Sequence, residues 1–392
     1  MDIRDRIARR YRAENGPQVI RDPEAVNPAA HVRDPVGRGP VLERLLDRLD
    51  PAFEGAVPPN TYVWGPKGAG KSALVTALFG ELRRLEGGSR ASIHTATRVD
   101  DAATVTFGYV DARHATTEFA LRHAILDELV DEPVPKNGVS ASRFRSLLAD
   151  HVASSGRRAV VAVDHLGDPE TPSLRAVAEF LDGVSGSVAW VGVGRTPPEE
   201  LDPSPSETVA IDLAPPYLLA DILSDRASAG LARGALDHES TRRVAEWADG
   251  DAHDALAAVF GAAVVADDAG ENRIGPDALD AGIEGVPRPC TAVGRIRSLP
   301  ANRQRVLREL LDLDAADRES VRAAAAGVAA ADTVGLSATT VERILYELAD
   351  SGIVRRVSTD RTDGLGRPPS GLEPCFPALV FRRLYDLASS TP

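Results

Sequence analysis

Apolar residues in the first 213 positions recur at two spacings. Segments with an apolar residue at every third or fourth position predict helices, whereas short continuous or alternating apolar runs predict strands. The predicted helices cover residues 3–13, 38–49, 72–85, 116–130 and 141–152, and the predicted strands cover residues 61–64, 104–110, 159–163, 188–193 and 208–213. Strands that alternate with helices predict an α/β fold, in which a parallel sheet carries helices on both faces.

Beyond Pro215 the apolar residues follow helical spacing and no strand pattern occurs until residue 353, which predicts a small all-α domain directly after Pro215. Its predicted helices cover residues 217–229, 240–247, 252–266 and 276–283. Pro287 and Pro289 then mark a linker.

Three further helices, a strand and a turn rich in arginine and glycine follow the linker. They are predicted at residues 302–313, 319–331, 337–350, 353–357 and 361–371. This is the order of a winged helix, a variant of the helix-turn-helix. The predicted domains are therefore a sheet domain with an N-terminal arm at residues 1–213, a helical lid at 214–288 and a winged helix at 289–392.

The run from Gly65 to Ser72 fits the phosphate-binding pattern G-x-x-x-x-G-K-[ST], between a predicted strand and a predicted helix. The glycines let backbone N–H groups turn towards phosphates, and the helix N-terminus adds partial positive charge. Lys71 would reach the β- and γ-phosphates, and Ser72 would bind Mg²⁺. The alternative is an ordinary glycine-rich turn. The pattern predicts ATP or ADP with Mg²⁺, held by Gly65, Pro66, Lys67, Gly68, Ala69, Gly70, Lys71 and Ser72.

Asp164 ends the continuous apolar strand at 159–163 and is the candidate second acid for Mg²⁺. The alternative is an aspartate that only caps a buried strand. The next residue is His165. ATPases with a P-loop and a second acid of this kind usually carry a glutamate at that position to orient the attacking water, and neutral imidazole is a poorer base than a carboxylate. His165 is either a degenerate catalytic position or only a polar residue at a strand end. Asp168 and Glu170 on the same loop are candidates to replace the missing acid.

The composition is that of an ordinary globular protein, with 43% hydrophobic and 26% charged residues. No apolar run reaches the length of a transmembrane helix, and the charged N-terminus contains no apolar signal core. These features predict a cytoplasmic protein with no membrane partner. Cys290 and Cys375 fit no metal spacing and no disulfide framework, so we expect plain thiols.

Charge is distributed unevenly along an acidic chain. The net charge is −13, and three lysines stand against 42 arginines, a bias that predicts a salt-adapted host or a GC-rich genome. Residues 290–392 hold 14 arginines and 13 acidic residues, a net charge of +1, so the remaining residues carry −14. The C-terminal portion is therefore the part whose net charge does not repel DNA.

The predicted winged helix carries candidate DNA ligands at the start of its third helix and on its wing. The N-terminal residues of such a helix enter the major groove, and wing arginines suit phosphates or the minor groove. The candidates are Ser337, Thr339, Thr340, Arg343, Arg355, Arg356, Arg361 and Arg367. They predict a nucleoid-associated protein that binds double-stranded DNA. The alternative is a solvated charged face on a winged helix that binds another protein.

The order of P-loop sheet, helical lid and winged helix resembles the archaeal origin-recognition initiators, the Orc/Cdc-type AAA+ ATPases. Local matches lie at Arg38-Gly39, Pro216-Tyr217, 250–256 and 336–353, and together with the P-loop they extend over most of the chain. The resemblance implies an ATP-binding initiator that recognises origin-type duplex DNA, with nucleotide state controlling the lid and the grip on DNA. It also implies nucleotide contact by Tyr217, a replicative helicase or other initiator subunits as partners, and a divergent haloarchaeal paralogue.

Three positions depart from that family at groups that contact or attack the γ-phosphate. The family's catalytic glutamate is His165 here, its sensor-1 asparagine falls near Gly194 or Arg195, and its sensor-2 arginine falls at His253. We therefore expect nucleotide binding with slow hydrolysis, and we treat His165, Arg195 and His253 as degenerate catalytic positions. Two other functions stay open: a DNA-binding regulator with structural nucleotide, and a P-loop phosphotransferase.

Overall fold

The computed structural model describes residues 18–93, 105–130, 133–135, 138–155, 158–184, 186–314, 317–358 and 370–389. The chain forms two compact units. One is His31–Ala214, called the sheet unit below. The other joins residues up to Ala30 with those from Pro215 onwards and is called the helical unit.

The strands and helices of both units are numbered in chain order. The strands are β1 (Thr61–Trp64), β2 (Val105–Asp111), β3 (Arg158–Leu166), β4 (Val188–Gly194), β5 (Glu207–Ala210), β6 (Val354–Ser358) and β7 (Ser370–Pro374). The helices are α1 (Pro23–Val26), α2 (Gly39–Phe53), α3 (Lys71–Ile93), α4 (Glu118–Leu129), α5 (Ala141–Ser155), α6 (Leu174–Leu181), α7 (Pro216–Gly230), α8 (His238–Trp247), α9 (Ala252–Asp268), α10 (Pro276–Glu284), α11 (Val293–Arg297), α12 (Ala301–Asp312), α13 (Val321–Ala329), α14 (Ala338–Asp350) and α15 (Ala378–Ser389).

The sheet unit is built on a five-stranded parallel sheet with the order β2-β3-β4-β1-β5. Each face of the sheet carries its own apolar core, one packed by α4, α5 and α6 and the other by α2 and α3. β3 lies inside the sheet and is buried on both sides, which explains its continuous apolar run. The predicted α/β fold is confirmed, and parallel order places the carboxyl ends of all five strands at one edge.

α6 is missing from the sequence prediction. The Ser173 hydroxyl caps its first turn by accepting from the backbone N–H of Ala176, and one face of the helix is buried. The helix has eight residues, fewer than the stretch over which helical spacing is usually read, although its apolar residues do keep that spacing. The cap residue was the signal that could have revealed it.

α9 forms the centre of the helical unit. It is apolar on nearly every side and packs closely on α10, where a Cβ on Gly282 would overlap the backbone of Ala258 and Ala262. α15 also packs on α9, through Leu379 near Gly261. The predicted helices from 217 to 283 are present, each within two residues of its predicted bounds. The division between lid and winged helix at residue 289 stays a prediction.

The described N-terminal residues lie in the helical unit, whereas the sequence prediction attached them to the sheet domain. The reason is Arg226, a buried side chain on α7. Its guanidinium donates to the carbonyl oxygens of Ala25, Asn27 and Ala30 and so fastens the arm around α1. Carbonyl oxygens of a specific loop cannot be recognised as partners from residue spacing. The predicted helix at 3–13 lies outside the described residues.

The winged-helix elements appear in the predicted order of three helices, α12 to α14, followed by β6. β6 pairs with β7 as an antiparallel hairpin, from Val354 opposite Pro374 to Ser358 opposite Ser370. α11 and α15 are additions that the sequence prediction lacked. Val341, Ile344, Leu345 and Leu348 of α14 face the core, which leaves the opposite side of that helix exposed.

No helix in the described ranges is both long enough and apolar enough to cross a bilayer.

Candidate functional site

The loop between β1 and α3 adopts the conformation that the phosphate-binding pattern requires. Gly65, Gly68 and Gly70 have φ angles of 149°, 73° and 86°, which side-chain-bearing residues rarely adopt. The Lys71 ammonium donates to the carbonyl oxygens of Gly65 and Pro66, each at 2.7 Å. Lys71 therefore lies across its own loop and is 8% exposed. The arrangement holds a cation beside backbone N–H groups at a helix N-terminus, as phosphate binding needs.

Arg38 also lies at this loop, a position that the sequence did not predict. Its guanidinium lies against Gly70, and its Nη1 donates to the carbonyl oxygen of Asp212 at 3.3 Å. Arg38 is buried, and its Nη2 has no hydrogen-bond partner among the described residues. Burial lowers the pKa of Arg38, and the Asp212 charge opposes that shift only in part. An anion next to the loop would therefore find a poorly solvated cation.

Asp164 lies at the carboxyl edge of the sheet and is 1% exposed. The Tyr109 hydroxyl donates to its Oδ2 at 2.9 Å, and the backbone N–H of His165 donates to its Oδ1 at 2.6 Å. Burial, then the Asp164 charge, raises the pKa of Tyr109 well above its usual value, so Tyr109 stays a donor. Two donors fix the carboxylate but leave lone pairs on both oxygens. Asp164 and the Ser72 hydroxyl offer the hard oxygen ligands that Mg²⁺ prefers, so the donor set fits that ion.

His165, Asp168 and Arg195 form one network beyond Asp164. The His165 backbone has a φ of 63° at a register shift between β3 and β4, and its Nδ1 donates to Asp168 Oδ2 at 3.3 Å. Arg195 Nε lies 3.4 Å from the other Asp168 oxygen. Burial alone would raise the pKa of Asp168, but His165, Arg195 and Lys71 outweigh it and lower that pKa. Asp168 is therefore ionised and already paired, which leaves it a weak candidate for activating water in this conformation.

A second ion pair flanks Asp164 and was not predicted from the sequence. Asp111 and Arg113 form a two-bond pair, with Arg113 Nη2 at 2.6 Å from Asp111 Oδ2. His31 keeps an exposed edge beside this group, yet the surrounding protein lowers the pKa of its imidazole despite the charge of Asp164. Neutral His31 adds no positive charge near Asp164 at neutral pH.

His253 and Tyr217 both lie in the helical unit. His253 Nδ1 is 3.0 Å from Asp254 Oδ1, and its Nε2 accepts from the backbone N–H of Val293 at 3.0 Å. Both ring nitrogens are therefore engaged, and the ring ties α9 to α11. The Cys290 sulfur is close enough to complete a three-ligand set. A metal on Nδ1 would force the proton onto Nε2 and break the Val293 bond, so we assign the group a structural role. Tyr217 is 73% exposed at the start of α7.

The candidate DNA residues on α14 divide into capping and exposed side chains. The Ser337 hydroxyl caps the helix by accepting from Thr340 N–H at 3.3 Å, and the two hydroxyls also contact each other. Thr339 and Arg343 are exposed. Arg343 pairs with Glu347, which also accepts from Arg303 Nη2 at 2.7 Å. These exposed pairs are weak in water and can exchange for phosphate.

The wing candidates are only partly within the described residues. Arg355 pairs with Glu373 across the hairpin at 2.7 Å. The Arg356 guanidinium lies over the Tyr346 ring, 5.8 Å from its centre. Arg361 and Arg367 lie outside the described residues. The sequence prediction of charge alone missed that Arg343 and Arg355 have acidic neighbours within the chain.

Comparisons with known proteins agree with this architecture. A sequence profile of the AAA ATPase domain matches residues 34–191. The chain is 28% identical to ORC1-type DNA replication protein 1 of Aeropyrum pernix over 340 residues, 80% of this chain and 82% of that protein. It is also 28% identical to ORC1-type DNA replication protein 6 of Halobacterium salinarum over 257 residues, 61% of this chain and 58% of that protein.

The fold is also similar to a solved structure, that of the Aeropyrum pernix ORC1 protein in complex with DNA. The TM-score is 0.61 at 23% identity, over 95% of this chain and 97% of that one.

Proposed function

The chain belongs to the Orc1/Cdc6-type family of AAA+ ATPases, and on that premise we propose that it is an ATP-binding initiator of replication that recognises origin-type duplex DNA. The observation that carries the proposal is a phosphate loop with Lys71 held across it, in a chain that also contains a winged-helix order of elements. We further propose that nucleotide state controls how the helical unit engages DNA.

The sheet unit supplies the nucleotide-binding groups in this proposal. Backbone N–H groups of the loop and the Lys71 ammonium bind the phosphates, and the Arg38 guanidinium beside Gly70 adds a second cation. Ser72 and Asp164 would hold Mg²⁺, which would supply a positive charge to the phosphate oxygens when bound. Tyr109 and the His165 backbone keep the Asp164 carboxylate in place for that task.

Slow hydrolysis follows from the residues around Asp164. Water attack on a phosphate needs an oriented base, and His165 uses its Nδ1–H on Asp168. Asp168 is paired with both His165 and Arg195, so its carboxylate is less available to orient a water molecule. We propose that the chain retains bound nucleotide for long periods rather than turning it over.

Replacing His165 with glutamate is expected to speed ATP hydrolysis by about tenfold or more, because a positioned general base contributes ~10²–10⁴-fold in favourable cases. The same change removes the imidazole that holds Asp168. Phosphate release under single-turnover conditions measures the rate, and His165→Gln is the matched control without a carboxylate. Fast multiple turnover by the unaltered chain, abolished by Asp168→Asn or Glu170→Gln, would place the water-activating acid on the loop instead.

DNA binding is proposed for the exposed side of α14 and for the wing. About four phosphate contacts imply a log–log salt slope near −4, and an acidic body weakens non-specific binding further. If the host is halophilic, as the excess of acidic residues suggests, recognition at working salt must rest on base contacts and DNA shape. The proposed partners are therefore specific duplex sites, together with a replicative helicase or other initiator subunits, and the proposed location is the nucleoid.

Arg343→Ala is expected to reduce the preference for the selected site over random duplex DNA by about tenfold, since one good base contact discriminates by ~1–3 kcal/mol. Arg361→Ala or Arg367→Ala should instead weaken binding to all sequences alike, because phosphate contacts carry no sequence information. Fluorescence anisotropy across a salt series measures both effects. Arg233→Ala, an exposed arginine in the helical unit, removes the same charge away from the winged helix. If Arg233→Ala and Arg343→Ala change affinity and site preference equally, the loss of one positive charge explains both results and Arg343 makes no base contact.

A DNA-binding regulator with structural nucleotide is the second candidate. The pairing of Asp168 with His165 and Arg195 favours it, because nucleotide would persist at a site whose candidate base is already paired. Binding sites at promoters rather than at replication start points would support this function.

A further inference from the structure

Tyr346 is an exposed aromatic residue on α14, outside the set of candidate DNA ligands. Its side chain is 40% exposed. In the described winged-helix residues the other large apolar side chain exposed to a similar degree is Leu387, at 36%, on α15. Leu387 therefore offers a matched position outside α14.

Tyr346 belongs to the same face of α14 as the DNA candidates. Thr339, Arg343 and Tyr346 stand at positions i, i+4 and i+7, which align along one side of a helix. The core-facing residues occupy the opposite side. A ligand that lies along this side of α14 and contacts Thr339 and Arg343 would therefore also contact Tyr346.

Arg356 lies over the Tyr346 ring from the wing. Its guanidinium carbon lies 5.8 Å from the ring centre, within the range of a cation–π contact. The flanking charged groups are satisfied among themselves, because Glu347 accepts from both Arg343 and Arg303. The Tyr346 ring is 40% exposed and is therefore the apolar group that this side of α14 offers to a ligand.

Only one apolar group is presented by the bases in the major groove of B-DNA, the 5-methyl group of thymine. The acidic residues of α14 disfavour a contact that rests on phosphates alone, since Glu342, Glu347 and Asp350 outnumber Arg343. Mid-helix residues do reach base edges in other helices that lie in the groove. We propose that Tyr346, held by Arg356, reads a thymine methyl group. This inference rests on the proposed function, because it requires α14 to enter the major groove.

The test compares thymine with uracil, which differ only by that methyl group. Full-length protein first selects duplexes from a random-sequence library, and the best duplex is then synthesised with each thymine replaced in turn by deoxyuridine. At one position or more, the unaltered chain should bind about fourfold less tightly, the value expected for one buried methyl-sized group. Tyr346→Ala should bind the two duplexes equally, Tyr346→Phe should keep the difference, and Leu387→Ala should behave as the unaltered chain.

Arg356→Met separates positioning from phosphate contact. A positioning role predicts a smaller thymine-to-uracil difference, whereas a phosphate role would weaken binding to both duplexes by the same factor. The inference is overturned if no deoxyuridine position affects the unaltered chain, or if Tyr346→Ala retains the full difference. In either case selective binding of the library would leave the proposed function intact. Failure of the unaltered chain to enrich any duplex would contradict the proposed function itself.

Discussion

Replacing Lys71 with alanine is expected to weaken ATP binding ten- to a hundredfold. The structure places the ammonium within 2.7 Å of two carbonyl oxygens of the phosphate loop. Bound phosphates would meet a cation already positioned on the loop, and a charge-assisted contact of this kind is worth roughly 1.5–3 kcal/mol. That free energy corresponds to the stated range of affinities.

Titration calorimetry with ATP and Mg²⁺ measures the effect, and Lys67→Ala is the matched control. Lys67 lies in the same loop and carries the same charge, but the phosphate-binding pattern requires no lysine side chain at its position. We expect Lys67 to hold phosphate through its backbone N–H, which alanine retains. We expect Lys67→Ala to change affinity by less than about threefold. Equal affinities of Lys71→Ala and the unaltered chain for ATP would mean that this loop is not the nucleotide-binding site.

Gly65→Ala should destabilise the sheet unit and abolish nucleotide binding together. A Cβ on Gly65 would overlap the carbonyl oxygen of Ile211, and the φ of 149° is unfavourable for alanine. Backbone strain and over-packing each cost ~1–3 kcal/mol, so we expect a loss of about 3 kcal/mol. For a unit of this size that loss lowers Tm by roughly 6–12 °C.

Differential scanning calorimetry measures the Tm of Gly65→Ala, and Gly80→Ala is the matched control. Gly80 lies inside α3, where a Cβ would meet no atom within 4 Å. Alanine there should stabilise the helix by up to about 1 kcal/mol. Unchanged thermal stability in Gly65→Ala would mean that the loop does not pack against Ile211 as described.

The phosphate loop could be foreseen because its information is local. Eight consecutive residues between a strand and a helix specify the glycine conformations and the position of Lys71. β3 and β4 were predictable for a similar reason, since buried parallel strands carry continuous apolar runs. In each of these cases the necessary contacts lie within the segment or its periodic face.

The partners of Arg38 could not be foreseen, because they are distant in sequence. Its guanidinium reaches Asp212 across 174 positions, and only the folded sheet brings the two together. Arg226 likewise binds three carbonyl oxygens of the N-terminal arm, groups that every residue possesses. Every residue has a backbone acceptor, so residue identity could not show that residues 18–30 lie beside α7.

The network around Asp168 was foreseen as separate residues but not as a unit. His165, Asp168 and Arg195 were each candidates for roles at the γ-phosphate. The register shift between β3 and β4 turns His165 towards Asp168, and Arg195 approaches from the end of β4. Their mutual pairing changes the expected chemistry, because a carboxylate that is paired with two neighbours is less available as a base.

Genome-wide mapping of the binding sites of this protein against replication start points would show whether it acts at origins. The start points are located in the same growing cells by marker-frequency sequencing. If the protein is an origin-type initiator, its strongest sites should coincide with one or more start points, and Lys71→Ala should reduce their occupancy. Strong sites that lie only at promoters, with unchanged start points when the protein is removed, would mean that the protein is not an initiator.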